Sequence, residues 1–411
     1  MRSDTIFSKP ELLAPAGDRA ALSAALNNGA DAVYLGVKGM NMRHAAANFS
    51  LNQLAKIAGD IHRRGKKIYV TLNTVILPGN IKRTEQILAA AQEAEVDAVI
   101  AWDMAVLSRC RQMGIPLHIS TQASAASFEA VRAYAEFGAR RVVLARECTL
   151  NDIRRISRRV KEEKLPCGIE AFVHGAMCVS VSGRCFLSQQ AFAKSANEGQ
   201  CLQPCRREFH IRDADGETEY ILGPDYILSP KDLCAIDFLD RLIRAGITAF
   251  KIEGRMRSPE YVAEVTACYR QAIDAFFDCK FDDALKTDLK TRLSAVYNRG
   301  FSPGFYFGRP GYDDWSTGLG TRREKVFAGE VTRYFKKIGV AEVCLRAASL
   351  SKGDDILVIG PRTGAETAVI GEMQNAGEFV KRAEKKDTVG VKLDFSVRPG
   401  DKVFLWRERR D

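Results

Sequence analysis

Chemistry is most legible at four cysteines, Cys178, Cys185, Cys201 and Cys205, separated by six, fifteen and three residues. They lie in His174-Gly-Ala-Met-Cys178-Val-Ser-Val-Ser-Gly-Arg-Cys185 and Asn197-Glu-Gly-Gln-Cys201-Leu-Gln-Pro-Cys205. Four thiolates suit either a cuboidal 4Fe–4S iron–sulfur cluster or a structural zinc. Structural zinc usually presents two tight pairs, and only Cys201/Cys205 is tight, so the wide first gap fits a cluster better. Arg184, Arg206 and Arg207 are placed to offset thiolate and sulfide charge, and Gly183 and Gly199 to let backbone amides approach the sulfurs. Buried free thiols would act as small hydrophobes, but the flanks are Ser, Gly, Arg, Gln and Asn. Cys110, Cys148, Cys167, Cys234, Cys268, Cys279 and Cys344 are scattered and read as core residues.

Such a segment needs a scaffold. Eight short apolar, β-branched runs precede or follow it: Glu11–Pro15, Ala32–Gly36, Lys67–Asn73, Asp97–Asp103, Leu117–Gln122, Arg141–Glu147, Gly168–His174 and Ala249–Glu253. Between them, Leu51–Arg64 and Ala125–Phe137 carry apolar residues at three- and four-residue steps, the helical period. Gly29, Gly138 and Gly246 each close a helix before a strand. Alternating strands and helices imply a parallel sheet, and eight strands imply a closed TIM-like (β/α) barrel. An open doubly wound sheet is the alternative, but no GxGxxG follows the first strand. The barrel is expected over residues 1–320, with a cysteine-rich insertion at 175–233 after strand seven. Asp215-Gly216 between alternating runs reads as a hairpin there. Tyr261–Phe277 and Asp283–Tyr297 read as helices, Asn298–Trp315 as a linker. Residues 325–411, with turns at Gly353-Asp354 and Pro399-Gly400-Asp401, read as a small β-barrel domain.

Active sites of such barrels lie at the carboxyl ends of the strands. Those ends offer Asn73, Asp103, Gln122, Arg146, Glu147, His174, Glu253 and Arg255, with Arg43 in the loop after strand two. Glu147 and Glu253 are placed to orient an arginine or act as acid or base. His174, four residues before Cys178, is placed to shuttle a proton. The plainer alternatives are ion pairs closing the rim, a satisfied strand-end histidine, and loop caps at Asn73 and Gln122.

Bulk composition sets the outer bounds. The 411 residues are 46% hydrophobic and 27% charged, as for a globular protein with a sizeable core. Lys plus Arg number 61 against 51 Asp plus Glu, a net charge of +10 that would attract RNA. Met1–Pro10 lacks the apolar run of a signal peptide, and no stretch approaches a membrane span. A cytoplasmic protein without membrane contact is expected, in a compartment where eleven cysteines point to metal or redox chemistry.

The combination Glu11-Leu-Leu-Ala-Pro-Ala-Gly17, Gly29-Ala-Asp-Ala-Val-Tyr-Leu-Gly36, Phe172-Val-His-Gly-Ala-Met-Cys178, Ser182-Gly-Arg-Cys185 and Lys251-Ile-Glu-Gly-Arg255 resembles the collagenase-like peptidases, an unclassified peptidase family. The resemblance covers roughly residues 10–320, and the C-terminal β-domain also looks similar. It implies more than the family's name does. Branches of this family hydroxylate without oxygen: one the wobble uridine of tRNA at C5, using prephenate, another a cytidine of ribosomal RNA, a third ubiquinone precursors. Their shared iron–sulfur cluster is held by four cysteines that match Cys178, Cys185, Cys201 and Cys205. Length and the β-domain make the chain most similar to the tRNA branch, with 5-hydroxyuridine as the implied product. Prephenate carries two carboxylates, which call for guanidinium forks, and Arg43, Arg146 and Arg255 are the arginines at strand ends. Asn73 and Gln122 complete the expected substrate-binding set.

Arg154-Arg155-Ile-Ser-Arg158-Arg159-Val-Lys161 on the sixth helix, and Arg63, Arg64, Lys66 and Lys67, read as phosphate contacts or, more often, as solvated faces. Arg322, Arg323, Lys325, Arg333, Lys336 and Lys337 accompany Tyr334 and Phe335 in the β-domain, a mixture that suits loop RNA. Against proteolysis, the chain has no HExxH or GxSxG and only five histidines to serve as bases. A quinone-precursor hydroxylase and a non-catalytic RNA-binding scaffold are the other readings.

Overall fold

A computed structural model describes residues 7–207, 210–212, 216, 219–221, 228–316, 318 and 320–409. The eight expected runs form strands one to eight: Glu11–Ala16, Ala32–Gly36, Lys67–Thr71, Ala98–Ala101, Leu117–Ile119, Ala139–Val143, Gly168–Gly175 and Ala249–Ile252. Each pairs in parallel with the next, and the eighth pairs with both the first and the seventh, closing the barrel. The polar ends read as strand termini, Asn73, Asp103, Gln122 and Glu147, lie just beyond the ladders, where the chain turns into the loops.

Helices cover the outside because their apolar residues recur on one face. In Leu54–His62, Leu54, Ile57, Ala58 and Ile61 are buried, each full burial of a Leu or Ile contributing roughly 1.5–3 kcal/mol. Caps fix the helix starts. Asp18 accepts from the Ala21 N–H at 2.8 Å, and Thr149 with Asp152 makes a capping box. Asp103 is also a cap, accepting from the Ala105 and Ile76 amides, and not a site residue.

Inside the barrel, Leu13, Ala32, Tyr34, Tyr69, Ala98 and Ile100 pack as one cluster. Near the amino ends of the strands the filling is ionic. Arg141 Nη1 lies 2.6 Å from Glu11 and 3.2 Å from Glu170, and Lys251 Nζ 3.0 Å from Glu170. Tyr69 donates to Glu11 at 2.8 Å. Removing one partner of such a buried set typically costs about 3–5 kcal/mol.

The insertion leaves strand seven at Gly175, continues through the short helix Leu187–Phe192, and returns as Asp232–Cys234, antiparallel to strand seven. His210–Arg212 and Glu219–Ile221 pair as the expected hairpin. Its Asp215, and the ends of the runs at Glu208, Asp213 and Leu222, lie outside the described residues. Pro259–Phe277 and Asp283–Ala295 are the two expected helices.

The C-terminal unit is an antiparallel sheet of eight strands, from Gly364–Val369 through Asp355–Gly360, Lys402–Glu408, Arg323–Phe335, Val340–Leu345, Thr388–Lys392 and Met373–Asn375 to Glu378–Val380. It sits against the first barrel helix, Arg19–Asn27, where Ser23 Oγ donates to the Pro361 carbonyl at 2.8 Å. Leu357, Ala365 and Trp406 join the barrel's own apolar core. Among the described residues, no helix is long and apolar enough to cross a membrane.

Candidate active site at the barrel mouth

The carboxyl ends of the strands and the cysteine segment enclose a cavity of about 380 Å³. Arg43, Asn73, Gln122, Arg146, Glu147, Glu253, Arg255, Cys178, Cys185, Cys201 and Cys205 all line it. Residues up to 212 positions apart in sequence are thus brought to one place, and of the expected strand-end set His174 and Asp103 are missing.

Glu253 is the hub. Arg43 grips its Oε1 with Nε at 3.2 Å and Nη2 at 2.8 Å, and Arg146 Nη2 stands 3.7 Å from Oε2. Burial alone would raise the Glu253 carboxyl, but Arg43, Arg146 and Arg255 outweigh it and hold it at about 2. The same attraction, Glu253 first, raises the Arg43 guanidinium. Arg255 is 4% exposed. It donates to Asn41 Oδ1 at 2.9 Å and Thr71 Oγ1 at 2.6 Å, and burial pushes it down to about 10. Arg146 donates to the Ala176 carbonyl at 2.7 Å and lies over the Phe172 ring at 4.1 Å. Its Nε and the Glu147 Oε2 are buried with no partner. That leaves a donor and an acceptor, on consecutive residues, for an incoming molecule. Asn73 accepts from the Met42 amide at 3.3 Å and reaches Gln122 at 3.5 Å.

The cysteine segment is seated by main-chain bonds. The His44 amide donates to the Gly199 carbonyl at 3.1 Å, and Val75 to Asn197 at 3.2 Å. Gly199 has φ +82°, and a Cβ there would stand 2.0 Å from the Asn41 carbonyl oxygen. Its role is therefore this close approach, and the amides at the sulfurs come from elsewhere. Leu187 N–H donates to Cys185 Sγ at 3.3 Å and Gln203 N–H to Cys201 Sγ at 3.4 Å, while Ser180 Oγ lies 3.1 Å from Cys178 Sγ. Burial raises the Cys205 thiol, with Arg206 opposing. Arg206 is itself pushed down to about 10 by burial and donates to the Met177 carbonyl and, at 2.7 Å, to Ser229. Arg184 donates to the Gln122 carbonyl and lies over Trp102, and Arg207 lies over Phe192. Amide donors at the sulfurs and a half-buried guanidinium beside them fit an iron–sulfur cluster. Among the described residues, no three His, Cys, Asp or Glu side chains converge as a single metal ion requires. Of the scattered cysteines, Cys279 is exposed and Cys344 half-buried, and the other five are buried.

His174 is a correction. Strand seven pairs Phe172 with Lys251 but His174 with Ile252, so one residue is skipped. This bulge breaks the alternation. Phe172 and Lys251 face the cavity, while His174 turns outward among Tyr261, Tyr269 and Phe301. Its Nδ1 lies 3.3 Å from the Tyr269 hydroxyl, and burial pushes its pKa down to about 4. It is a neutral packing residue, unsuited to proton transfer in the cavity.

Lys251, Tyr34, Thr71, Met177 and Phe305 also line the cavity and were not singled out from sequence. Lys251 and Tyr34 were within reach of the strand alternation, two residues from Glu253 and Gly36. Phe305 had no signal. Part of the expected basic faces is ion-paired. Arg159 meets Glu129 and Glu163, Lys67 meets Glu11, and Lys325 meets Glu260. Among the described residues, the exposed large apolar residues of the barrel are Leu77, Val181, Phe186, Leu202, Met256 and Phe307 in the connections and Ile81 and Met104 at helix starts.

Residues 17–316 match peptidase family U32. The chain belongs to this family. A protein named collagenase from Porphyromonas gingivalis is 38% identical, covering 98% of this chain and 99% of its own. Bacillus subtilis tRNA hydroxylation protein P1 is 34% identical over 96% of this chain and 94% of its own. Escherichia coli 23S rRNA 5-hydroxycytidine C2501 synthase is 36% identical over 73% of this chain and 46% of its own.

Proposed function

We propose that this family member is an RNA hydroxylase that converts the wobble uridine of tRNA to 5-hydroxyuridine without oxygen, using prephenate as co-substrate and an iron–sulfur cluster on Cys178, Cys185, Cys201 and Cys205. The observation that carries the reading is one cavity lined both by four thiols and by Arg43, Arg146 and Arg255. Thiols with amide donors suit a bound cluster, which would supply electron-transfer chemistry next to the substrate. The unpartnered Arg146 Nε suits a carboxylate, and the unpartnered Glu147 oxygen suits a hydroxyl or ring N–H, or a proton taken during reaction. Glu253 orients Arg43 and Arg146.

The names of the relatives divide between proteolysis and RNA hydroxylation. The cavity favours the second. Among the described residues no histidine side chain lines it, so no serine or cysteine there is shown with the imidazole base that a hydrolytic triad uses. The tRNA reading is preferred over the ribosomal one because the Bacillus subtilis relative is matched over nearly its whole length and the Escherichia coli one over less than half. The test is mass spectrometry of nucleosides from cells lacking the gene. Loss of 5-hydroxyuridine or its derivatives from tRNA, recovered by wild type but not by Cys185→Ala, is expected. Unchanged tRNA with altered ribosomal RNA or quinone pools would move the assignment to a sister reaction.

A further inference from the structure

We infer that the apolar rim of the barrel mouth is a stacking platform for the unpaired bases on either side of the one that enters the cavity, so that an RNA loop is held by its bases as well as its phosphates. The inference rests on the RNA-hydroxylating reading and concerns a surface which that reading does not use.

Phe186 is 72% exposed, Leu202 52%, Val181 59% and Met256 46%. Solvated apolar side chains are ordinary when scattered, but several grouped beside one cavity mark an interaction site. Phe186 stands between Cys185 and Leu187, both of which line the cavity. Met256 follows Arg255 on a separate element. The apolar groups therefore come from two separate segments that both reach the cavity.

The charge of the segment points to the occupant. Residues 175–207 hold four basic side chains, Arg184, Lys194, Arg206 and Arg207, against one acidic, Glu198. Exposed arginines beside exposed aromatic and aliphatic groups suit single-stranded RNA, whose bases stack on apolar faces while its phosphates meet cations. Extrusion of a base supplies the physical need. A base drawn into it leaves its stack, and its neighbours lose a stacking partner. Apolar side chains at the rim would replace that partner and lower the cost of extrusion.

The test uses the full-length protein and two RNA probes: a hairpin with an unpaired, uridine-containing loop, and a fully paired duplex of the same stem. Phe186→Ala and Met256→Ala should each weaken hairpin binding by about tenfold, with duplex binding and the salt slope of hairpin binding unchanged, since no phosphate contact is removed. Phe186→Trp should retain or improve affinity. Both side chains are solvated, so the variants should keep the wild-type unfolding midpoint. Hairpin affinity within twofold of wild type in both Ala variants, while wild type still hydroxylates the hairpin, overturns the platform and leaves the function reading intact. A wild-type protein that neither prefers the hairpin nor modifies it overturns both. Retained RNA affinity with loss of reduction by a protein electron donor assigns the rim to that protein and overturns the inference.

Discussion

Arg43 and Glu253, 210 residues apart in sequence, meet at the mouth with both Nε and Nη2 of the arginine on one carboxylate oxygen, at 3.2 and 2.8 Å. The pair joins the loop after strand two to the end of strand eight across the barrel opening.

Its contribution has a definite pH dependence. The Glu253 carboxyl falls from an ordinary 4.5 to about 2 in the folded protein, because the surrounding arginines outweigh burial. A depressed folded value means stabilisation that is complete above about 4.5 and lost as pH falls towards 2, worth about 3 kcal/mol. Glu253→Gln should lose stability of this order at pH 7, and the gap to wild type should narrow at pH 3. Denaturant unfolding at the two values measures it. An equal gap at both would show that the charge is not the source.

The cysteines are tested by colour and metal content. Protein prepared without oxygen should contain iron and sulfide and show the broad visible absorbance of thiolate-bound clusters. Each of Cys178→Ala, Cys185→Ala, Cys201→Ala and Cys205→Ala should lose it. Stoichiometric zinc with no iron would sink the idea.

Arg146→Lys should keep the charge but lose the planar fork, the stacking on Phe172 and the free Nε. A loss of activity on the order of 100-fold is expected, as for a misplaced reactant, with the cluster absorbance retained. Arg43→Lys and Arg255→Lys should behave alike. Full activity in all three would make the arginines structural only.

His174→Phe should leave activity within about twofold, since the ring lies outside the cavity, and cost roughly 1–3 kcal/mol of stability through its buried hydrogen bond. The pH–rate profile should be unchanged between wild type and variant. A variant that folds normally yet is inactive would restore His174 to the chemistry.

Much of this was legible in the chain. Eight apolar runs gave the barrel because helical patterns alternate with them, some closing on glycine, as at Gly138 and Gly246. Strand ends gave Asn73, Gln122, Arg146, Glu147, Glu253 and Arg255, and the loop after strand two gave Arg43, because the carboxyl end of a barrel strand faces the mouth. His174 was misread because a single skipped residue in the pairing with strand eight reverses the direction of a side chain, and local composition carries no trace of that. Gly199 was misread because close approach to Asn41 is a tertiary fact. Phe305 escaped because it enters from a linker without periodicity.

The apolar seam between the barrel's first helix and the C-terminal sheet has a consequence for how the molecule comes apart. Leu357, Ala365 and Trp406 are counted within the barrel's core, and Gly364 presses on the backbone of Ala24. A chain ended near residue 320 would carry that face of its first helix into water, inviting self-association. The two units, separable by eye in the sequence, should therefore melt in one cooperative transition, and neither is a module that recombination could exchange without re-covering the other.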